Sequence, residues 1–304
     1  MNMKSLGGIM MLLGTCVGAG MLALPIAAAN EGFSIATLLL FVAWLSMTFG
    51  ALTLLEVNLA LPEKNNLISM AEATLGAFGK YLTWFVYLLL LYSLLCAYIA
   101  GSSNIVFAIM QAMHINSPAW LDTLISVLIL SSIVYKGISS VDIVTRGLMS
   151  VKFIAYIIIV LAIAPHINIQ NLAPHKPIVM HMSTLMVMIT SFGYAIIIPS
   201  LRTYFKSCVP QLKKVVLLGS IIPLIIYIIW VAVIQGLIPI SGEHGLNHIG
   251  HAQQTNAELM SSIGFYIHKP WVSVISNIFI SICAITSLLG VSLCLTDFIA
   301  DGYK

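Results

Sequence analysis

Long apolar runs alternate with short polar segments along the whole chain. A helix needs about 20 apolar residues to cross the hydrocarbon core of a bilayer, which is about 30 Å thick. We therefore predict eight transmembrane helices, over residues 6–29, 33–61, 81–113, 119–135, 147–164, 178–201, 215–240 and 271–296. The fourth is the shortest, because Asp122 and Lys136 leave only a short uncharged stretch between them.

Composition and charge agree with this pattern. The chain is 60% hydrophobic and 8% charged, with a mean hydropathy of +1.04, which indicates an all-α integral membrane protein. If the N-terminus is cytoplasmic, all of the 13 Lys and Arg residues except Lys176 and Lys269 lie on or near the inner side. The positive-inside rule favours that orientation. The net charge of +3 then needs no nucleic-acid partner, and the lipid bilayer is the expected surrounding.

The first apolar run contains an unusual stretch, "GTCVGAGMLALP", at residues 14–25. Glycine weakens a helix by about 1 kcal/mol relative to alanine, and proline removes a backbone donor, so this helix is expected to unwind locally. Unwound backbone within a membrane must line a protein-walled or wet cavity. There, free amides suit a carboxylate and free carbonyls suit an ammonium, a combination that fits an amino acid. The alternative is that Gly14 and Gly18 form a helix-packing face and that Pro25 is a mild kink.

The sixth run contains a similar interruption. Alignment of "GAGMLALP" with "FGYAIIIP" places Gly18 over Phe192, Gly20 over Tyr194 and Pro25 over Pro199. The two predicted helices cross the membrane in opposite directions. An interruption that recurs five helices later with inverted direction is typical of the inverted repeats of secondary transporters, whose broken helices mark the substrate site.

Five stretches carry a resemblance to a known family: "GGIMMLLGTCVGAGMLALPIAAANEGF", "LLEVNLALP", "VDIVTRGLMSVKF", "TSFGYAIIIPSLRTYFKS" and "KKVVLLGSIIPLIIYIIW". Together they resemble the bacterial hydroxy and aromatic amino-acid permeases, the tyrosine and tryptophan permease group of the amino acid-polyamine-organocation superfamily. The resemblance implies a five-plus-five inverted-repeat fold, an inner-membrane location and proton-coupled uptake of tyrosine or tryptophan. Residues 1–170 would form the first repeat, helices 1 to 5, and residues 171–304 part of the second, helices 6 to 8.

One departure from the family concerns length. Its members have about eleven helices, whereas this chain stops at "LTDFIADGYK" after the eighth. We therefore expect the fold to be incomplete at its C-terminal end. Two alternatives to aromatic uptake stay open: a permease for serine or threonine, because the family includes hydroxy amino-acid permeases, and a truncated membrane protein that does not transport, because of the missing helices.

The resemblance also implies a set of substrate-binding positions at the two interruptions. They are Gly18, Ala19 and Gly20 in the first helix and Ser191, Phe192, Gly193 and Tyr194 in the sixth. The rings of Phe192 and Tyr194 could stack on an aromatic substrate, or they could simply pack in the core.

Two charged residues within the apolar runs are candidates for proton coupling. By resemblance, Lys152 could take up and release the coupling proton; alternatively it is a snorkelling side chain of the inner positive belt. Glu56 could be a relay carboxylate or could pair with a basic residue of the inner loops. The sequence leaves both choices open.

Other chemistry is not predicted. The chain has no paired catalytic carboxylates, zinc signature, nucleophile elbow or phosphate loop, so we do not expect an enzyme. His244, His248 and His251 have helical spacing, but an exposed loop is a better interpretation than a metal site. No cofactor is expected besides the proton as coupling ion, and the oligomeric state stays open.

Overall fold

The structure is a computed structural model that describes residues 3–62, 67–115, 117–136, 138–173, 180–205, 208–252 and 255–302. Its α-helices, in chain order, are α1 (Met3–Cys16), α2 (Ala19–Ala27), α3 (Phe33–Ala60), α4 (Leu67–Ala112), α5 (Ala119–Tyr135), α6 (Ile138–Ile163), α7 (Met182–Ser191), α8 (Ile198–Phe205), α9 (Val209–Leu237), α10 (Leu246–His251), α11 (Thr255–Ile267) and α12 (Pro270–Gly302). Short 3-10 turns follow α6 and join α7 to α8. The prediction of an all-α integral membrane protein is confirmed.

Among the described residues, six helical segments are long and apolar enough to cross a membrane, and the bent pair formed by α1 and α2 is a seventh if it is counted as one span. They correspond to seven of the eight predicted spans. The fourth predicted span is α5, an apolar helix of 17 residues that falls just short of the usual crossing length. The first two residues of the sixth predicted span, 178 and 179, and also Lys176, lie outside the described residues.

The third predicted span begins earlier than expected. Helix α4 starts at Leu67, whereas the prediction began at residue 81, because the polar and small residues before the apolar run are also helical. The backbone at Gly76 has a φ of 70°, a left-handed conformation that glycine adopts without steric cost. Helix α4 is therefore two segments that meet at this glycine.

Two long helices position the interrupted ones. Helix α9 contacts α1, α2 and α3, and helix α12 contacts α2, α4 and α6. The side chains of α9 that face this core, among them Tyr227 and Trp230, are fully buried. By contrast, large apolar residues on the outer faces of α3 and α4, such as Phe49 and Phe85, are exposed. In a membrane this outer surface contacts lipid.

Candidate functional site

The first helix is interrupted where the glycines predict it. Helix α1 ends at Cys16, α2 begins at Ala19, and the two axes differ by 54°. A Cβ atom at Gly18 would lie 2.3 Å from Oγ of Ser287 on α12, so any side chain at residue 18 would displace that hydroxyl. The amide of Ala19, freed at the start of α2, donates to the same Oγ at 3.2 Å. The interruption is therefore packed directly against α12.

The second interruption begins at Phe192, after the last residue of α7, and continues as a 3-10 turn over Gly193–Ile197 before α8. This second interruption lies against the first. Ser191 Oγ donates to the carbonyl of Gly20 at 3.2 Å. The Tyr227 hydroxyl of α9 lies 2.7 Å from the carbonyl oxygens of both Cys16 and Ser191. The structure thus brings the two predicted broken segments together.

Lys152 lies beside the first interruption. Its side chain is fully buried, so it is not a snorkelling residue. Nζ donates to the carbonyl of Val17, which the interruption has released from helical bonding, and to Oγ1 of Thr286 at 3.1 Å. Within the described part of the chain no carboxylate forms an ion pair with this ammonium. Two backbone carbonyls at the interruption thus accept hydrogen bonds, that of Val17 from an ammonium and that of Cys16 from a phenol.

The aromatic residues of the second interruption are both fully buried. The ring centroid of Phe192 is 4.9 Å from that of Tyr227, and the Tyr194 hydroxyl lies 2.6 Å from Oγ1 of Thr48 on α3. These are the contacts of core packing, and stacking on a substrate stays a prediction. Gly193 differs, because a Cβ added there would meet no atom within 4 Å among the described residues.

Glu56 lies away from the two interruptions. Its Oε1 is 3.1 Å from Nζ of Lys213 near the start of α9, and both side chains are about half exposed or more. Lys213 precedes Tyr227 by 14 positions, which corresponds to about 21 Å along a helix. Glu56 thus pairs with a basic residue, and its role as a relay carboxylate stays a prediction.

Three residues of this region were not predicted. Tyr227 and Thr286 are polar residues within apolar runs, and only the fold shows what they contact. Glu31 follows α2, is 1% exposed, and accepts from Oγ1 of Thr184 at 2.7 Å, which joins it to the start of α7. A carboxylate directly after an apolar run was the signal available in the sequence, since such a group must find donors when it is buried.

The whole chain, residues 1–304, matches the tryptophan/tyrosine permease family. The chain belongs to this family. This permease is 30% identical over 97% of its length to glutamine transporter 2 of Aliivibrio fischeri, and it covers 74% of that protein. It is 28% identical to the tyrosine-specific transport system 2 of Haemophilus influenzae (99% of this chain, 74% of that one), and 28% identical to the tryptophan-specific transport protein of the same organism (98% and 74%). The permease is therefore a multi-pass membrane transport protein rather than an enzyme.

Proposed function

We propose that this permease takes up an aromatic amino acid, tyrosine or tryptophan, together with protons across the bacterial inner membrane, with its N-terminus in the cytoplasm. The names of the tyrosine- and tryptophan-specific relatives support the substrate class. The distribution of Lys and Arg supports the orientation.

The observation that carries the proposal is the meeting of two interrupted helices in the core. The N-terminal amides of α2 present partial positive charge, and this is where a substrate carboxylate would bind. The carbonyls of the second interruption would accept from the substrate ammonium. The space beside Gly193 would take the side chain, near Phe192, and the site residues are thus Gly18, Ala19, Gly20, Ser191, Phe192, Gly193 and Tyr194.

The two interruptions also support a repeat structure. They occur in the first helix of residues 1–170 and in the first helix of residues 171–304, at corresponding positions. We propose that these segments are inverted repeats that move relative to each other around the site.

A competition experiment tests the substrate class. Purified permease in proteoliposomes with an inward proton gradient is assayed for uptake of labelled tyrosine in the presence of unlabelled tyrosine, tryptophan, serine and glutamine. Glutamine is included because one relative bears its name. We expect tyrosine and tryptophan to displace the label. If serine or glutamine is accumulated and the aromatic amino acids are not, the proposed substrate class is wrong.

Lys152 is the proposed proton carrier. While its ammonium is protonated it donates to the carbonyl of Val17, and loss of the proton would remove the charge that holds α1 to α6 and α12 at this point. Proton release would therefore loosen the first interruption.

We expect Lys152→Ala to abolish accumulation driven by a proton gradient while substrate binding remains measurable. The matched control is Lys213→Ala, which removes an exposed lysine from the same protein and should leave accumulation intact. Unchanged accumulation in Lys152→Ala would exclude Lys152 from the coupling mechanism.

A further inference from the structure

A cavity of about 440 Å³ lies between the C-terminal part of α4, the start of α5 and the start of α11. None of the proposed substrate-binding positions lines it. Its polar lining consists of Asp122, Ser103, Thr123, Thr255 and Asn256, and the remaining lining residues are Phe107 and small apolar residues. It is thus separate from the interrupted helices.

Asp122 is the unusual member of this lining. The residue is 2% exposed, and its Oδ1 accepts from Oγ of Ser117 at 2.6 Å. Its Oδ2 is buried and has no hydrogen-bond partner among the described residues. A buried carboxylate oxygen without a donor is costly, and native structures contain few of them. The unpartnered Oδ2 therefore indicates that a ligand in the cavity donates a hydrogen bond to Asp122.

The hydroxyl groups of the lining cannot supply that donor. Each hydroxyl has one proton, and in Ser103, Thr123 and Thr255 this proton goes to a main-chain carbonyl of the same region, at 2.8, 3.0 and 3.2 Å. Toward the cavity these three oxygens can only accept. Together with Asp122 they form a set of acceptors, and the amide of Asn256, the remaining polar side chain of the described lining, makes no hydrogen bond to Asp122 Oδ2.

The chemistry of a ligand follows from this set. It must carry several N–H donors and, opposite Asp122, a positive charge. The described lining contains no Lys, Arg or His, so the carboxylate of a zwitterion would have no cationic partner there. The described residues also contain no cluster of three His, Cys, Asp or Glu side chains that could hold a metal ion. The size of the cavity and its apolar walls fit an organic group beside the charge.

We propose that this cavity binds a primary ammonium group carried by a molecule with an apolar body. The site is distinct from the proposed transport site and does not depend on it. Two sources share this chemistry: a free amine, and the headgroup of an ethanolamine lipid.

The free amine is tested by calorimetric titration of the purified permease with 2-phenylethylamine, in detergent without added lipid. We expect binding in the wild type and a roughly ten- to hundredfold weaker affinity in Asp122→Asn, because a charge-assisted hydrogen bond is lost. The matched control is Glu258→Gln, which removes a carboxylate from α11 close to Thr255 without altering the lining. 3-Phenylpropionate, which has the ring but no ammonium, should not bind.

The lipid is tested by native mass spectrometry of permease purified from membranes that contain both phosphatidylethanolamine and phosphatidylcholine. Retention of phosphatidylethanolamine by the wild type but not by Asp122→Asn would assign the ammonium to a lipid, since a choline headgroup has no N–H donor. Binding of 2-phenylethylamine alone would assign it to a free amine. Either result supports the ammonium site.

Two further measurements test whether the cavity is independent of the transport site and whether its lining binds the amine. Saturating tryptophan should leave the binding of 2-phenylethylamine unchanged, because the two sites are separate. Thr123→Val, which removes one acceptor and preserves shape, should weaken binding even if Asp122→Asn does not fold. The proposal is overturned if neither amine nor lipid binds in a manner that depends on Asp122 or Thr123, or if tryptophan displaces all of the amine.

Discussion

The contact between Gly18 and Ser287 gives the sharpest test of how the first interruption packs. In Gly18→Ala the new Cβ would lie 2.3 Å from Oγ of Ser287, well inside the 3.0 Å that Cβ contacts respect. Ser287 must therefore rotate and lose its bond from the Ala19 amide, which costs about 1 kcal/mol, or the helices must separate. Overpacking of this kind costs about 1–3 kcal/mol. We expect Gly18→Ala to lower the free energy of unfolding by about 1–3 kcal/mol.

A second substitution should relieve the clash. With Ser287→Ala the nearest side-chain atom to the new Cβ is the Cβ of residue 287 at 3.7 Å, which is ordinary contact. Ser287→Ala alone loses the Ala19 bond, at about 1 kcal/mol. The double variant should therefore be no less stable than Ser287→Ala alone, so that the two single effects are not additive.

The assay is unfolding in mixed micelles titrated with a denaturing detergent and followed by circular dichroism, with tyrosine uptake measured in parallel. Gly50→Ala is the control, because a Cβ at Gly50 meets nothing within 4 Å among the described residues. It should change the free energy of unfolding by less than about 1 kcal/mol. Additive effects of Gly18→Ala and Ser287→Ala would refute the packing of the interruption on α12.

Three further predictions concern single side chains. Tyr227→Phe keeps the ring but removes the one donor that two buried carbonyls share, and it should lower the free energy of unfolding by roughly 1–3 kcal/mol in the same assay; an unchanged value would contradict the contacts. Glu56→Gln breaks an exposed ion pair with Lys213, so stability should change by less than about 1 kcal/mol and proton-driven uptake should persist; loss of uptake would support Glu56 as a relay residue. Glu31→Gln places an amide where Thr184 donates to a buried carboxylate, and it should reduce stability by about 1–3 kcal/mol relative to Glu56→Gln.

The positions of the helices and of their interruptions could be predicted because both depend on local sequence. Apolar length sets the spans, and the glycines of residues 14–20 mark the first interruption, whereas Pro25 lies inside α2. The start of α4 was predicted too late, because helix formation at the membrane surface does not require an apolar run. Whether α5 crosses the membrane also depends on local sequence, since its apolar length is marginal for a span.

The partners of the interruptions could not be predicted. Ala19 and Ser287 are 268 positions apart, and Cys16 and Tyr227 are 211 apart. A helix that is apolar on all sides gives no periodicity from which its inward face can be read, so a polar residue within it could face either lipid or core. For the same reason the sequence left Lys152 undecided between interior and interface, and left Glu56 undecided between relay and ion pair.

The position of the Tyr227 hydroxyl has a consequence for motion. A phenol has one proton, yet two carbonyl oxygens, one from each interrupted helix, lie at the same 2.7 Å. Only one of them can receive that proton at full strength at any instant. If the two interrupted helices move apart, the Tyr227 hydroxyl can keep its hydrogen bond to the carbonyl of one helix and lose only its weaker contact with the carbonyl of the other. The hydroxyl would thus remain hydrogen-bonded to one interrupted helix after separation from the other.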